Sequence, residues 1–444
     1  MKVLVTAKAL DLDRTSEGIC TTKFLYCLVQ AGMEVACLAP PAMLAPDVLR
    51  CHGQWLNQVK LIPVEPWFPN RDTVPPPVTR ALDPGKRISA WVKNKADALI
   101  AYGTGFSALS WAEVRLWRKA LRAALASQRP DILFVRGAGQ GFEPHLAMAG
   151  LGAATPWIAN YHDPFPISLY PAPYRRHFFV MSRMQEKWNA RIMRTADRVS
   201  FPSERLLRWM LSGKLGSLRR KGVVIPHIAG EVPLAAQEPN GAKVELDPAR
   251  FLLIHAGTLL EPREPWGLFE AFRRFVAKEP ARAASAELLL VGTVSRRHKA
   301  DPRWREITQS QGIRVVEDRI SYPRAMRLLR RASVVVVLEA DAGGSPFFPA
   351  KLTDYLLSRK PILALSPLNS VVSDILGTGY PYRATHSDTA RIEEILEGFW
   401  ASWRRGDLAQ AGALDALADR FSMGRVGESC KGLFAECAAC AGNG

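Results

Sequence analysis

Residues 342–361, AGGSPFFPAKLTDYLLSRKP, place glycines, a lysine and a carboxylate where an apolar strand meets a helix. Pro349 suits the first turn of a helix, so the N–H groups from Gly344 to Ala350 are expected to be free to meet a phosphate at the positive helix end. Lys351 adds a positive charge there. One turn further on, Asp354 can accept hydrogen bonds from sugar or ribose hydroxyls. The segment therefore predicts a site for a phosphorylated sugar or nucleotide.

The elements that must position this segment alternate between short apolar strands and helical patterns. The first half runs from the apolar Val3 to Val5, through a loop with Gly18, to GVVIPH; a polar stretch follows, and FLLIHAG begins a second half of the same kind. We expect an α/β protein with two doubly wound, Rossmann-like domains that face a central cleft. The predicted units are an N-terminal Rossmann-like domain, a linker, a C-terminal Rossmann-like domain, and a C-terminal helix and tail, over 1–228, 229–250, 251–420 and 421–444.

Composition excludes several classes of protein. The chain has 444 residues, of which 48% are hydrophobic and 23% charged, which argues against a disordered, collagen-like or coiled-coil protein. Seven cysteines are too few for a disulfide scaffold, and the pair Cys437 and Cys440 has no partner pair, so we assign no metal site. No secretory leader and no run of 18 apolar residues is evident. A cytoplasmic protein is predicted.

The positive charge is concentrated in the first half. Residues 1–225 contain 31 basic and 16 acidic side chains, a net charge of +15 out of +17 for the chain. Within residues 171–225 there are 13 basic and three acidic side chains. Aromatic residues interrupt this stretch: Tyr174, Phe178, Phe179, Trp188 and Trp209. Such a stretch attracts an anionic membrane surface or a nucleic acid, and a solvated surface is the plain alternative.

A second basic and aromatic stretch lies at residues 87–125. Trp91, Trp111 and Trp117 alternate there with Lys and Arg at roughly helical spacing. An amphipathic helix of this kind either lies in a membrane interface or packs against a core. The sequence leaves both interpretations open.

The motifs together resemble those of the GT-B glycosyltransferases of family 4. A glycine-containing loop in that family leads into a P-x-K-x-x-(E/D)-Y helix ahead of a KP(I/V)LA strand, and this chain reads PAKLTDY and KPILAL. The segments EGICTTKFLYCLVQAGMEVACLA, TADRVSFPSERL and IHAGTLLEPREPWGLFEAF match the family in order and spacing. The resemblance covers nearly the whole chain, least well residues 40–130.

The resemblance implies that the domain at residues 1–228 binds the acceptor and that the domain at residues 251–420 binds the nucleotide sugar. It also implies a set of site residues. His162 would stand at the reacting centre facing the donor sugar, and Arg263 falls on the phosphate-clamping lysine. Residues implied in donor binding are Gly18, Gly257, Thr258, Gly344, Ser345, Lys351 and Asp354. Thr258 replaces the usual clamping arginine, and Pro346 replaces the first glutamate of the family's pair.

Two of the candidate residues also have plainer interpretations. Without the resemblance, His162 would be interpreted as a core histidine at a strand end. Arg136 ends a strand on the predicted acceptor side, although the glycines after it are equally typical of a plain turn.

The implied function is that of a retaining hexosyltransferase that moves a sugar from a nucleotide-diphosphate donor to a glycan or lipid-linked acceptor in cell-surface polysaccharide assembly. It needs no metal and no cofactor besides the donor, and the basic half would dock on the anionic inner face of the membrane. Two alternatives remain. One is a nucleotide-sugar epimerase of the same fold. The other is a basic nucleic-acid-binding protein, which leaves PAKLTDY without a purpose, so no nucleic-acid partner is expected.

Overall fold

The computed structural model describes residues 1–12, 15–65, 95–235, 244–412 and 414–442. Residue Trp91 of the second basic stretch and part of the predicted linker lie outside these residues.

Within the described residues, the first half forms a sheet of seven parallel strands in the order β3-β2-β1-β4-β5-β6-β7. The strands are β1 (Lys2–Thr6), β2 (Glu34–Ala39), β3 (Val59–Pro63), β4 (Ile132–Arg136), β5 (Trp157–Asn160), β6 (Arg198–Phe201) and β7 (Gly222–Val224). The helices are α1 (Ser16–Gln30), α2 (Pro46–Leu49), α3 (95–104), α4 (Ala108–Gln128), α5 (Glu143–Ala149), α6 (Phe179–Thr195) and α7 (Glu204–Met210).

The second half forms a parallel sheet of six described strands in the order β10-β9-β8-β11-β12-β13. The strands are β8 (Phe251–Ala256), β9 (Ala286–Val291), β10 (Ile313–Val316), β11 (Val334–Leu338), β12 (Ile362–Leu365) and β13 (Arg383–Ala384). The helices are α8 (Trp266–Ala277), α9 (Pro280–Ser285), α10 (Arg296–Ala300), α11 (Pro302–Thr308), α12 (Tyr322–Arg331), α13 (Lys351–Ser358), α14 (Val371–Leu376), α15 (Thr389–Arg405), α16 (Asp415–Arg420) and α17 (Met423–Gly442). The expected α/β fold with two doubly wound sheets is confirmed.

The apolar strand sequences explain the central positions of β4 and β11. Both strands, ILFVR and VVVVL, are buried along their whole length. A strand covered by helices on both faces is apolar on both faces, which is why these runs do not alternate with polar residues. In each half, the side chains on the two faces of the sheet pack into separate apolar clusters. The carboxyl ends of both sets of strands point toward the space between the sheets, where loops bind ligands in such folds.

The described part of the second basic stretch, from residue 95 onward, folds as two helices. Gly105 has a φ of +92°, a conformation that glycine adopts readily, and it ends α3; the Ser107 side chain then accepts the Ser110 N–H to begin α4. Trp117 is fully buried, and Trp111 packs on Trp188. Trp117 therefore belongs to the core, and the partly buried Trp111 packs against it.

The two halves contact each other through their helices. Arg205 of α7 forms two hydrogen bonds of 2.6 Å to the carboxylate of Asp374 in α14. The C-terminal helix α17 packs on α1, where Gly427 lies so close to Cys27 and Ala31 that an added Cβ would approach the Ala31 Cβ to 3.2 Å. The C-terminal helix α17, which follows the second half in the chain, thus packs against the first half. No helix in the described part of the chain has the length and apolar character to cross a membrane.

Candidate functional site

A cleft of about 670 Å³ lies between the two sheets and is lined by residues of both. Its volume falls within the range typical of small-molecule sites. It brings together seven of the residues singled out from the sequence: His162, Gly257, Thr258, Arg263, Ser345, Lys351 and Asp354. These residues follow β5, β8 and β11 or begin α13, so the carboxyl ends of the strands position them.

The loop after β8 forms a positively charged corner of the cleft. Gly257 has a φ of +141°, and a Cβ at this position would lie 2.5 Å from the Lys351 Nζ. The Arg263 guanidinium donates to the Thr258 carbonyl at 3.2 Å. The glycine thus lets the Lys351 ammonium approach the backbone closely, and Arg263 is held beside it.

Burial and mutual repulsion lower the pKa values of the basic side chains in this corner. Burial, together with the neighbouring Arg263 guanidinium, lowers the pKa of Lys351 well below its usual value. The pKa of His255 is also lowered well below its usual value, first by burial and then by Lys351, whose Nζ lies 3.5 Å from the His255 Nε2. An anion bound here would relieve this repulsion and favour the charged form of Lys351.

The loop before α13 differs from the sequence expectation. The Ser345 N–H donates to the Asn369 carbonyl at 2.9 Å, so it is not free to meet a phosphate. Gly344 packs against Asn369, and a Cβ added at this glycine would lie 3.1 Å from the nearest Asn369 atoms. Gly344 is not among the described residues that line the cleft. A parallel bridge between Ser345 and Ser370 causes this difference, because it pairs the loop with the start of α14.

Asp354 has protein partners that the sequence did not indicate. Its Oδ1 accepts hydrogen bonds from the Lys23 Nζ at 2.5 Å and from the Tyr322 hydroxyl at 2.8 Å. Lys23 comes from α1 of the first half and also donates to the Ile228 carbonyl at 3.2 Å. The carboxylate expected to bind ribose therefore also joins the two halves.

His162 follows β5 and lies half-buried in the cleft wall beside a second histidine. The rings of His162 and His227 have centroids 4.6 Å apart. The Cys20 Sγ lies 3.8 Å from the His227 Nδ1. Next in the chain, burial raises the pKa of Asp163, while the charges of His162 and Arg263 oppose that rise. The sequence analysis singled out neither Cys20 nor His227.

Gly18 and Arg136 lie behind the described cleft wall. Gly18 is buried in the first turn of α1, where an added Cβ would lie 2.0 Å from the Asp11 carbonyl oxygen, so close packing requires a glycine there. Arg136 stacks over Phe24 with 5.2 Å from its guanidinium carbon to the ring centroid, and it lines a separate cavity of about 20 Å³. Their neighbours Glu17, Ile19 and His162 face the cleft instead.

Glu339 is a buried acid in the cleft that the sequence analysis missed. It follows β11, and its Oε1 accepts the Ser345 hydroxyl at 3.1 Å, while its Oε2 has no hydrogen-bond partner among the described residues. Burial raises its pKa to about 7, against the opposing effects of Ser345 and Arg263. An acidic residue directly after the apolar VVVVL strand was the available signal, because a strand's carboxyl end faces the cleft.

The arrangement suits chemistry in which a diphosphate leaves a sugar. Breaking that bond develops negative charge on the departing group, and fixed cations aimed at it stabilise the transition state. Arg263 and Lys351 provide such cations on one side of the cleft, and His162 stands on the other.

The comparisons with known proteins concern the family and the fold. Residues 103–228 match the model of Glycosyltransferase Family 4. The fold is that of the GT-B glycosyltransferases, and the resemblance to family 4 is supported over residues 103–228. A search of curated protein sequences found no significant match.

Solved structures share the fold over nearly the full chain. Sucrose-phosphate synthase from Thermosynechococcus elongatus has a TM-score of 0.61 at 12% identity, with 99% of this chain and 100% of that chain covered. Trehalose 6-phosphate synthase from Burkholderia multivorans has a TM-score of 0.57 at 12% identity, with 99% and 97% covered. An Escherichia coli trehalose-6-phosphate structure with bound UDP-2-fluoro glucose has a TM-score of 0.56 at 11% identity, with 98% and 99% covered.

Proposed function

We propose that the protein is a retaining glycosyltransferase that moves a sugar from a nucleotide-diphosphate donor to a glycan or lipid-linked acceptor in the assembly of a cell-surface polysaccharide. The observation that carries the proposal is the shared cleft. His162 of the first half and Arg263 and Lys351 of the second half line the same cavity. A donor bound by the second half would thus present its sugar to the first half.

Residues of the second half support the binding of a diphosphate. Arg263 and Lys351 are adjacent cations beside the glycine loop at Gly257, and the pKa of Lys351 is lowered in a way that an anion would reverse. A GT-B structure with UDP-2-fluoro glucose bound shows that this fold accepts a nucleotide sugar. We infer that the diphosphate lies against Arg263 and Lys351.

The proposed transfer retains the configuration of the donor sugar. The acceptor attacks from the face that the diphosphate leaves, with His162 beside the sugar and no carboxylate nucleophile. The cations Arg263 and Lys351 stabilise the leaving group, so the transfer requires no metal ion.

The first half supports docking on an anionic membrane from the cytoplasmic side. Phe178, Phe179 and Trp209 are 51%, 59% and 42% exposed, and Arg183 stacks over the Phe179 ring at 4.2 Å. Leu99 and Tyr102 of α3 are also exposed, and the end of α3 is joined to α6, because the Thr104 carbonyl accepts the Trp188 indole N–H. Basic and apolar side chains side by side suit an anionic lipid surface.

The donor test is a thermal-shift screen of the purified protein against UDP, GDP, ADP and their sugar conjugates. A ligand at 100 times its dissociation constant stabilises the folded state by about 2.7 kcal/mol. We expect one base to be selected, and the shift to be lost in Arg263→Ala but kept in the control Arg274→Ala, whose side chain is exposed and pairs with Glu270. Absence of a shift with every nucleotide would contradict the donor assignment. Consumption of the donor without an acceptor would instead indicate an epimerase.

The membrane test is sedimentation with anionic and neutral vesicles. We expect Phe178→Ser/Phe179→Ser to reduce binding to anionic vesicles at least severalfold, while Leu368→Ser, at a 65% exposed leucine of the second half, leaves it unchanged. Equal binding by both variants would rule out this docking surface. Salt-sensitive binding to nucleic acid in place of vesicles would favour the nucleic-acid alternative.

A further inference from the structure

We propose that Cys20, His162 and His227 form a binding site for an exchangeable thiophilic divalent cation, of which zinc is the chemically best match, and that the bound ion inhibits the enzyme by occupying His162. The inhibitory part rests on the proposed transferase function. The binding part does not depend on it.

The three ligands converge from distant parts of the first half. Cys20 lies on α1, His162 follows β5, and His227 follows β7. One ligand atom from each residue lies within 4.8 Å of the others, and the Cys20 Sγ lies 3.8 Å from the His227 Nδ1. In a tetrahedral zinc site, Zn–S distances of about 2.3 Å and Zn–N distances of about 2.0–2.1 Å put sulfur and nitrogen roughly 3.5 Å apart. The Cys20–His227 spacing needs only a small contraction to enclose an ion, and the His162 ring, whose ligand atom lies within 4.8 Å of the other two, completes the set by moving closer.

The donor set selects the ion. One thiolate and two imidazoles are ligands for zinc and similar borderline-soft metals, whereas magnesium and calcium prefer oxygen. Three protein ligands leave a fourth position for water, as in open zinc sites. The cavity of about 20 Å³ beside these residues has the size of a single water or ion, and all three ligands line it.

His227 is available to a ligand. Only 7% of the residue is exposed. Its Nδ1 faces the Cys20 Sγ at 3.8 Å, and its Nε2 has no hydrogen-bond partner among the described residues, so the ring is not tied to a competing polar group. Buried polar atoms are normally hydrogen-bonded. The Phe348 ring, with its centroid 4.8 Å away, holds the imidazole in place beside Cys20.

The charges around the site indicate exchangeable rather than permanent binding. Arg136 lines the same small cavity as Cys20 and His227, and Lys23 follows Cys20 by one turn on α1. The same positive charges repel a dication. We therefore expect an ion that binds and leaves, unlike one in a closed structural site.

Occupancy would affect the reaction through His162. This residue lines both the small cavity and the cleft, so an ion held by its ring lies at the wall that faces the donor sugar. A metal-bound imidazole nitrogen is no longer free to contact substrate. Zinc should therefore inhibit transfer, and a chelator should restore it.

The binding test uses cobalt(II) alone as the probe for the metal-free protein. We expect saturation at one equivalent, with visible bands of tetrahedral cobalt and a thiolate-to-cobalt charge-transfer band. Cys20→Ser should abolish the charge-transfer band, and His227→Asn should weaken cobalt affinity at least tenfold. The control Cys437→Ser/Cys440→Ser removes two thiols that lie one helical turn apart in α17 and should leave the spectrum unchanged. Circular dichroism confirms that each variant is folded.

The outcomes decide both parts of the proposal. No thiolate band in the wild type, or a band that survives Cys20→Ser and disappears in Cys437→Ser/Cys440→Ser, overturns the site. When a donor and an acceptor have been identified, zinc should inhibit transfer by the wild type. Cys20→Ser should need at least tenfold more zinc for the same fractional loss of its own zinc-free transfer rate. Cobalt binding at Cys20 without zinc inhibition overturns the inhibitory part alone. If no donor is ever found, the cobalt spectra still decide the site, so the two proposals fail separately.

Discussion

The Lys23 Nζ lies 2.5 Å from the Asp354 Oδ1 and joins α1 of the first half to α13 of the second. Both side chains are largely buried, with 4% and 13% of their surfaces exposed. Asp354 is also the residue expected to hold the ribose of the donor. Nucleotide binding and the contact between the halves therefore involve the same carboxylate.

Replacing Lys23 should lower the stability of the folded protein and change the thermal shift that a nucleotide produces. Lys23→Met leaves Asp354 buried without its cation, and breaking a buried ion pair in this way costs about 3–5 kcal/mol. We expect a lower free energy of unfolding in urea. We also expect a larger thermal shift with the preferred nucleotide, because Asp354 no longer has to give up its ion pair with Lys23 to bind the ribose. Lys299→Met, which breaks an exposed pair with Glu317, should change stability by less than about 1 kcal/mol. Equal unfolding free energies for the two variants would contradict the role of the buried pair.

Donor binding should be accompanied by proton uptake at Lys351. Burial and Arg263 lower the pKa of this lysine in the free protein, and a bound diphosphate raises it again. Titration calorimetry with the nucleoside diphosphate at pH 8, in buffers of different ionisation enthalpy, should show net uptake of protons. Lys351→Met should remove this uptake and weaken binding. A wild-type enthalpy that does not depend on the buffer would show that Lys351 is already fully charged.

Stability should fall with rising pH because of Glu339. Its pKa is raised by burial from 4.5 to about 7, so the folded state holds this proton more tightly than the unfolded state. The contribution is fully present below about pH 4.5 and is lost as the pH rises through about 7. Between pH 5 and pH 8, urea unfolding of the wild type should thus lose up to about 3 kcal/mol that Glu339→Gln does not lose. Parallel pH profiles for the two proteins would argue against a raised pKa at Glu339.

A side chain at Gly257 should impair donor binding. The residue has a φ of +141°, and a Cβ would lie 2.5 Å from the Lys351 Nζ. Gly257→Ala is therefore expected to strain the loop, displace the ammonium and weaken nucleotide binding at least tenfold by calorimetry. In the control Gly343→Ala the new methyl meets no atom within 4 Å. If both variants bind nucleotide like the wild type, the loop after β8 does not contact the diphosphate.

The sequence determined the elements and their order. The apolar runs Val3 to Val5 and FLLIHAG predicted β1 and β8, and the helix predicted near Pro349 is α13 at Lys351–Ser358. These predictions succeed because strand and helix periodicity are local properties, and because parallel strands covered on both faces must be continuously apolar. The order of strands and glycine loops then implied a cleft at the carboxyl ends, where His162, Arg263, Lys351 and Asp354 are found.

Only the tertiary structure decided which side chains meet. Cys20, His162 and His227 are far apart in the chain and have no ligand spacing, yet α1, β5 and β7 bring their ligand atoms within 4.8 Å. Lys23 and Asp354 are 331 residues apart and meet only because the two halves close on each other. The same packing buried Trp117, which the sequence left open as an interfacial residue. Local pattern fixes an element and its apolar face, but the neighbours of a polar side chain depend on how distant elements pack.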